Sequence, residues 1–423
     1  MEKFSLPNVL ILSVNPLDSD SNNGKTISSF FYNYPPNNIS QLFFHRSSPK
    51  STICKNFYRI SDEDVLSFLF GNAKKLGKIV TNFENQTRIF SDSFTNKLRK
   101  SLFFKLLRNL LFIISLIINK DYISWIKDFK PEIIFLCGGD ANFLYPLANY
   151  LARKFNIKIV NYVTDDYLLF KFSLNPFYFI NRMWTRFEFL NLSKKAYTST
   201  FTIGPQMTDY YKFKFGIKSK PLMNLVRLDN FKFYSENLNP SKLVYIGGLH
   251  SNRWKVIKKL VLTIKENNLS LTLDIFTFDK LNKGFSKFLK KYQFVNFRGS
   301  IKGSEVSSKL LEYDVLLHVE AFDRHSKNIT FLSVSTKIPE YLSTGKPILA
   351  IGPKNISSMQ YLSQNRIAIT CNNNKEIKLK LSTINNQRLL KDMNINSFAI
   401  IQRNHEINKI SKEFQEHLLN LRN

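Results

Sequence analysis

Cysteine is scarce, with three residues in 423, Cys54, Cys137 and Cys371, set far apart. That excludes a disulfide framework and a cysteine-built metal site, and it suits a reducing compartment. The N-terminal Met1-Glu2-Lys3-Phe4-Ser5-Leu6-Pro7 lacks the apolar core and cleavage site of a secretory signal. Zinc-finger spacing is absent, as is the aromatic–glycine signature of RNA-binding modules. No charge-free apolar run approaches the ~20 residues needed to cross a bilayer. No acidic pair stands at magnesium spacing, so neither a metal nor another cofactor is expected. Acid is also short: 32 Asp and Glu against 61 Lys and Arg leave a formal charge of +29. Part of the lysine excess fits an AT-rich coding bias. The rest draws the chain to polyanions. Without a nucleic-acid module, phosphate-bearing ligands and an anionic membrane surface are favoured over nucleic acid.

A chain of this length exceeds one ordinary core, so two domains are expected. Asn8–Val14, Glu132–Cys137, Ile157–Val163 and Phe201–Ile203 read as short buried strands separated by helical stretches. Such alternation means a parallel sheet covered on both faces, with ligands beyond the carboxyl ends of the strands. Gly24, Gly138-Gly139-Asp140 and Asp165-Asp166 fall at such ends. Residues 218–240 read as a polar linker. The alternation then restarts at Leu243-Val244-Tyr245-Ile246, continues through Gly247-Gly248, and ends near 370. The expected architecture is α/β, two Rossmann-like domains facing a cleft. An N-terminal domain spans 1–220, a C-terminal domain spans 241–385, and helices over 386–423 pack back on the N-terminal domain.

Four patterns carry chemistry. After the first strand, the loop Asp18–Thr26 contains Gly24, a candidate donor-binding residue, where backbone N–H groups can approach a ligand closely. Gly24-Lys25-Thr26 lacks the earlier glycine of a P-loop, which excludes that motif. Over 97–118, Lys97, Ser101, Lys105, Arg108 and Ser115 share one helical side and apolar residues fill the rest. This reads either as a basic interfacial helix or as a core helix. Asp165 and Asp166 end a strand, one as a site carboxylate and the other as a helix cap. Finally, Ser335 to Ala350 reads as a short helix carrying Lys337 and Glu340, a stop at Gly345, and a buried strand. Hydroxyls, a cation and a carboxylate at one helix start fit a nucleoside diphosphate, with phosphate at the cation and ribose at the carboxylate.

Three segments, Gly247-Gly248 with the helix at Arg253, Leu311–Leu317, and Ser335–Ala350, together resemble the C-terminal half of a family 4 glycosyltransferase, over most of 241–370. The resemblance implies the GT-B fold and a retaining, metal-independent hexosyltransferase-like enzyme. It moves a sugar from a nucleotide sugar to a glycan or lipid-linked acceptor of bacterial surface polysaccharide. The expected setting is the cytoplasm, at the inner face of the plasma membrane. It places Gly248, Arg253 and either Lys258 or Lys255 at the donor diphosphate. Ser335, Thr336 and Lys337 join them there, and Glu340 sits at the ribose. The family's second glutamate falls at Leu332, so Glu320 or Asp323 is expected to supply that carboxylate. Asp165, Asp166 and Glu320 are the catalytic candidates, while His318 and His325 are read as structural or solvated. Leu332 keeps open a catalytically silent nucleotide-sugar-binding subunit, and a GT-B epimerase or phosphorylase is a further alternative. A phosphorylase would need a cofactor lysine that the sequence does not identify.

Overall fold

The computed structural model describes residues 6–17, 22–82, 101–171, 173–235 and 239–422. The chain forms two units, one of residues 1–222 with 411–423 and one of 223–410.

In the first unit, Val9–Ser13 forms β1, buried along its whole length as a strand covered on both faces must be. It lies between β2 (Ile39–Phe43) and β5 (Ile133–Cys137), parallel to both, with Val9 opposite Ile39 and Ile133. Adding β3 (Asn56–Arg59), β4 (Lys78–Val80), β6 (Lys158–Val163), β7 (Thr198–Thr202) and β8 (Ser219–Pro221) gives the order β4-β3-β2-β1-β5-β6-β7-β8. Only β4 runs antiparallel, against β3. The order reverses between β1 and β5, which makes their carboxyl ends the switch point where ligands bind in such sheets. The last helix, Ile407–Arg422, returns to this sheet. Phe414 sits among Phe30, Phe31, Phe135 and Phe201, with ring centroids 5.7–6.1 Å away.

The second unit repeats the plan. β9 (Lys242–Ile246), β10 (Thr272–Phe276), β11 (Val295–Gly299), β12 (Val315–Val319), β13 (Ile348–Ile351) and β14 (Ile369–Cys371) are all parallel, in the order β11-β10-β9-β12-β13-β14. Its switch point lies between β9 and β12. The segment expected as a polar linker is partly structural: Leu222, Met223 and Leu225 are buried, and Val226 bridges to Glu406. The short helix Lys337–Leu342 stops as expected, with Gly345 at a φ of +69°. An added Cβ there would run into the Lys232 carbonyl.

The helix Leu102–Ile118 differs from the interfacial reading in the direction its polar side faces. Lys105 pairs with Asp140, and Arg108 Nε lies 2.5 Å from Asp62. Asn109 and Ser115 are buried. The polar side therefore faces the unit, together with buried Phe112 and Leu116, and the stripe of Phe103, Leu107, Leu110, Ile114 and Ile117 faces solvent. Lys97, expected on this side, lies outside the described residues, as do Met1–Ser5 and the loop residues Asp18–Ser21. Among the described residues, no single helix is long and apolar enough to cross a membrane. Leu102–Ile118 and Asp121–Phe129 pass that test only as a pair bent by 72°.

Candidate functional site

In the second unit, the turn after β9 brings backbone and charge together. The Gly247 amide donates to the Phe276 carbonyl at 2.9 Å, and the Tyr245 hydroxyl donates to the Gly248 carbonyl at 2.6 Å. A Cβ on Gly247 would overlap the Lys337 ammonium, and one on Gly248 would overlap the His250 ring. A methyl at either position would displace one of these side chains and not backbone. The loop that follows is clamped from two sides. Asp279, beyond β10, accepts from the Leu249 and His250 amides at 2.5 and 3.0 Å. Asp323 accepts from the Asn252 side-chain amide at 3.1 Å.

This loop delivers Arg253 to the first turn of the helix Arg253–Glu266. Its guanidinium grips Glu320, which directly follows β12. Nε donates to one carboxylate oxygen at 3.2 Å, and Nη2 reaches both at 3.0 and 3.1 Å. The side chains are 17% and 5% exposed, so the pair is largely withdrawn from water. Burial pushes the Glu320 carboxyl up against the opposing pull of Arg253. Lys337 lies beside the pair, with its ammonium over the Tyr245 ring at 5.8 Å. Burial, and then the Arg253 charge, pull the lysine down to about 8, while Glu320, Glu340 and Asp279 resist. His318 completes the cluster, its Nε2 3.8 Å from Glu320. Burial, helped by the two cations, brings it down to about 3, so it is neutral. Among the described residues, that buried Nε2 has no hydrogen-bond partner.

The structure separates the two carboxylates left open by the sequence. Asp323 caps the helix Arg324–Thr330 through the Ser326 amide at 3.0 Å. Although burial opposes it, Ser326 and Asn252 hold its carboxyl below the usual range. Glu320 alone of the two joins the cation cluster. Leu332 is buried in the core. Ser335 donates its amide to the Ser358 hydroxyl at 3.0 Å, and the Thr336 carbonyl accepts from Asn224 at 3.3 Å. Lys258 is not gathered in: it is exposed, with its ammonium over the Phe288 ring at 5.1 Å. Lys255 lies likewise over Trp254. A cavity of about 420 Å³ opens next to the clamped loop, lined by His250, Asn252, Trp254, Asp279, Asn282 and Phe285.

In the first unit, a cavity of about 180 Å³ marks the switch point, lined by Ser13, Asn15, Gly24, Cys137, Gly138 and Tyr167. Gln41, buried in β2, holds its loop by donating to the Ser13 hydroxyl at 2.8 Å and accepting from the Leu17 amide at 2.9 Å. The adjacent aspartates divide their tasks. Asp166 is buried and caps a turn, accepting from the Leu168 and Leu169 amides at 3.0 and 3.1 Å. Asp165 is exposed at the strand end. Its charge adds to burial in pushing the Cys137 thiol up to about 12.

No protein-family model matches the sequence, and no curated protein matches it. Solved structures match it along nearly their whole length. A glycosyltransferase from Rickettsia africae ESF-5 is 12% identical over 98% of both chains, with a TM-score of 0.58. WaaG, a glycosyltransferase involved in lipopolysaccharide biosynthesis, is 11% identical over 97% of this chain and 99% of its own, with a TM-score of 0.55. An S. aureus TarM mutant in complex with Fondaparinux, alpha-GlcNAc-glycerol and UDP is 10% identical over 98% of this chain and all of its own, with a TM-score of 0.59. The fold is GT-B.

Within this GT-B chain, several site residues escape sequence reasoning. His250 and Asp279 are bound into the Arg253 cluster, with Arg253 Nη1 3.2 Å from His250 Nε2. Asp279 had a legible signal, since an acid just beyond a parallel strand stands at the ligand end of the sheet. His250 had none, because an exposed histidine in a loop is usually solvated. Among the described residues, no group of three or more His, Cys, Asp or Glu side chains is arranged to hold a metal ion.

Proposed function

We propose that this protein is a retaining, metal-independent glycosyltransferase. It moves a sugar from a nucleoside-diphosphate sugar to a glycan or lipid-linked acceptor, in the cytoplasm, for surface polysaccharide. The observation that carries the reading is the pairing of Arg253 and Lys337 in one largely buried cluster against Gly247, at the switch point of the second unit. Two fixed cations beside bare backbone suit a diphosphate, and a guanidinium fork suits its oxygens. The UDP held by the TarM mutant and the lipopolysaccharide role of WaaG support this donor and acceptor class.

In this reading the bond between the sugar's anomeric carbon and the phosphate oxygen breaks, and its electron pair stays on the diphosphate. Arg253, exchanging Glu320 for phosphate, and Lys337 stabilise that growing charge from the positions in which the fold holds them. Gly248 gives the sugar phosphate close access, and the segment Ser335–Thr336 lines the same end. Glu340 accepts from the ribose hydroxyls. The acceptor hydroxyl forms the new bond to the anomeric carbon and gives its proton to the departing phosphate oxygen, and Asp165 is the acceptor-side carboxylate. Asp166 fixes the turn that presents Asp165. Glu320 is the counter-ion that keeps Arg253 aimed until phosphate arrives.

Buried Leu332, in place of a glutamate, favours a second reading: a subunit that binds the nucleotide sugar without turning it over. Calorimetry with UDP-, GDP- and ADP-sugars, paired with an assay of donor hydrolysis, separates the two. Binding with hydrolysis or transfer supports the enzyme. Binding with neither, on any acceptor tried, supports the silent subunit.

A further inference from the structure

Two helices of the first unit turn apolar stripes to solvent. On Leu102–Ile118, Phe103, Leu107, Leu110, Ile114 and Ile117 recur at intervals of three and four residues, and all are exposed, Ile117 at 65%. On Pro176–Ser193, Ile180, Met183 and Phe187 do the same, with Phe187 at 66%. The stripes meet where the Phe103 and Phe177 rings touch, with centroids 5.3 Å apart. A soluble surface seldom leaves contiguous apolar residues uncovered on this scale.

Cations predominate around the stripes, although Asp62 and Asp140 pair with the first helix. The first helix contains no acid, and the second contains only Glu188, which accepts from the Trp184 indole. Lys120, Lys194 and Lys195 are exposed just beyond the helix ends, and Arg182 and Arg186 stand half-buried along the second. The Arg186 guanidinium rests on the Phe170 and Phe215 rings, with its stem along apolar surface. The whole chain adds its formal +29. A second copy of the chain would bring the same positive rim against this one, which opposes self-association. An anionic bilayer supplies both missing complements, an apolar layer for the stripe and negative headgroups for the rim.

We propose that this two-helix face docks on an anionic lipid bilayer, with the apolar stripes at the boundary of headgroups and acyl chains and the cations among the headgroups. The inference goes beyond the transferase reading and does not depend on it. The first helix, 17 residues and about 25 Å long, lies along the surface. Its own Lys105 and Arg108 take no part, because both are committed to carboxylates inside the unit.

The test is flotation of the full chain with vesicles of phosphatidylglycerol and phosphatidylcholine, and with vesicles of phosphatidylcholine alone. The wild type is expected to float with the anionic vesicles and to bind them at least tenfold more weakly when salt is raised or phosphatidylglycerol omitted. The combined changes Leu110→Gln, Ile114→Gln and Met183→Gln are expected to abolish flotation while leaving the melting temperature and nucleoside-diphosphate affinity in place. Should that triple variant not fold, Met183→Gln alone, at a highly exposed position, is expected to weaken binding severalfold. Absence of wild-type flotation overturns the proposal, as does flotation of the folded variants at wild-type strength. A wild-type dimer that the triple change dissociates, without vesicle binding, also overturns it and makes a second copy the occupant. Nucleotide binding, measured on the same samples, reports the transferase reading separately.

Discussion

Arg253 and Glu320 hold each other through three hydrogen bonds of 3.0 to 3.2 Å, across the switch point of the second sheet. Both are largely buried, and the carboxylate occupies one edge of the guanidinium. Breaking such a pair leaves a buried charge without compensation, at a cost of about 3–5 kcal/mol. Glu320→Ala is expected to lower unfolding stability by that order in urea titrations. A nucleoside diphosphate at saturation is expected to restore more stability to the variant than it adds to the wild type, because phosphate supplies the missing anion. A loss well under 1 kcal/mol would show the pair to be incidental.

Lys337 predicts a pH dependence. Its ammonium, drawn down to about 8, is the form that attracts phosphate. By pH 9 only about one tenth of it remains charged. Calorimetric affinity for a nucleoside diphosphate is expected to fall between pH 7 and pH 9, and the fall is expected to vanish in Lys337→Met.

Gly247→Ala separates binding from stability. The added methyl would overlap only the far end of the flexible Lys337 side chain, and the backbone at Gly247 is not in the left-handed region. The variant is expected to melt close to the wild type while binding nucleoside diphosphate about tenfold more weakly, a loss of about 1.4 kcal/mol. A large drop in melting temperature would show that the glycine serves packing.

His405 predicts acid lability. It is fully buried, with Nε2 2.7 Å from the Tyr361 hydroxyl and Nδ1 2.8 Å from the Asn224 carbonyl. Burial brings it down to about 4, and the Asn224 carbonyl resists. Between pH 6.5 and 4 the unfolded chain takes up a proton that the native state refuses, so stability falls as pH falls through that window. The loss approaches about 3 kcal/mol at pH 4. Urea titrations across that range are expected to show a smaller loss in His405→Gln.

The sequence and the structure agree where burial leaves an apolar run. β1, β5, β6 and most strands of the second unit read directly as short hydrophobic stretches ending at glycine or a polar residue. β2 did not, because Ser40 and Gln41 are polar yet fully buried, and only the fold supplies Gln41 with Ser13 and Leu17 as partners. β4 and β8, at three residues each, are too short to show a period. The resemblance already put Arg253 and Lys337 together at the donor diphosphate, whereas the closure of Glu320 onto Arg253 depends on strand order. The facing of Leu102–Ile118 was hidden for the same reason, since only the tertiary partners Asp62 and Asp140 decide which side is inward.

The most direct measurement is calorimetric titration of UDP-, GDP- and ADP-sugars into the wild type and Lys337→Met at neutral pH. The account predicts saturable binding of at least one of these donors to the wild type, weakened tenfold or more in the variant. Failure of all three to bind, or equal affinity in the two proteins, would contradict it.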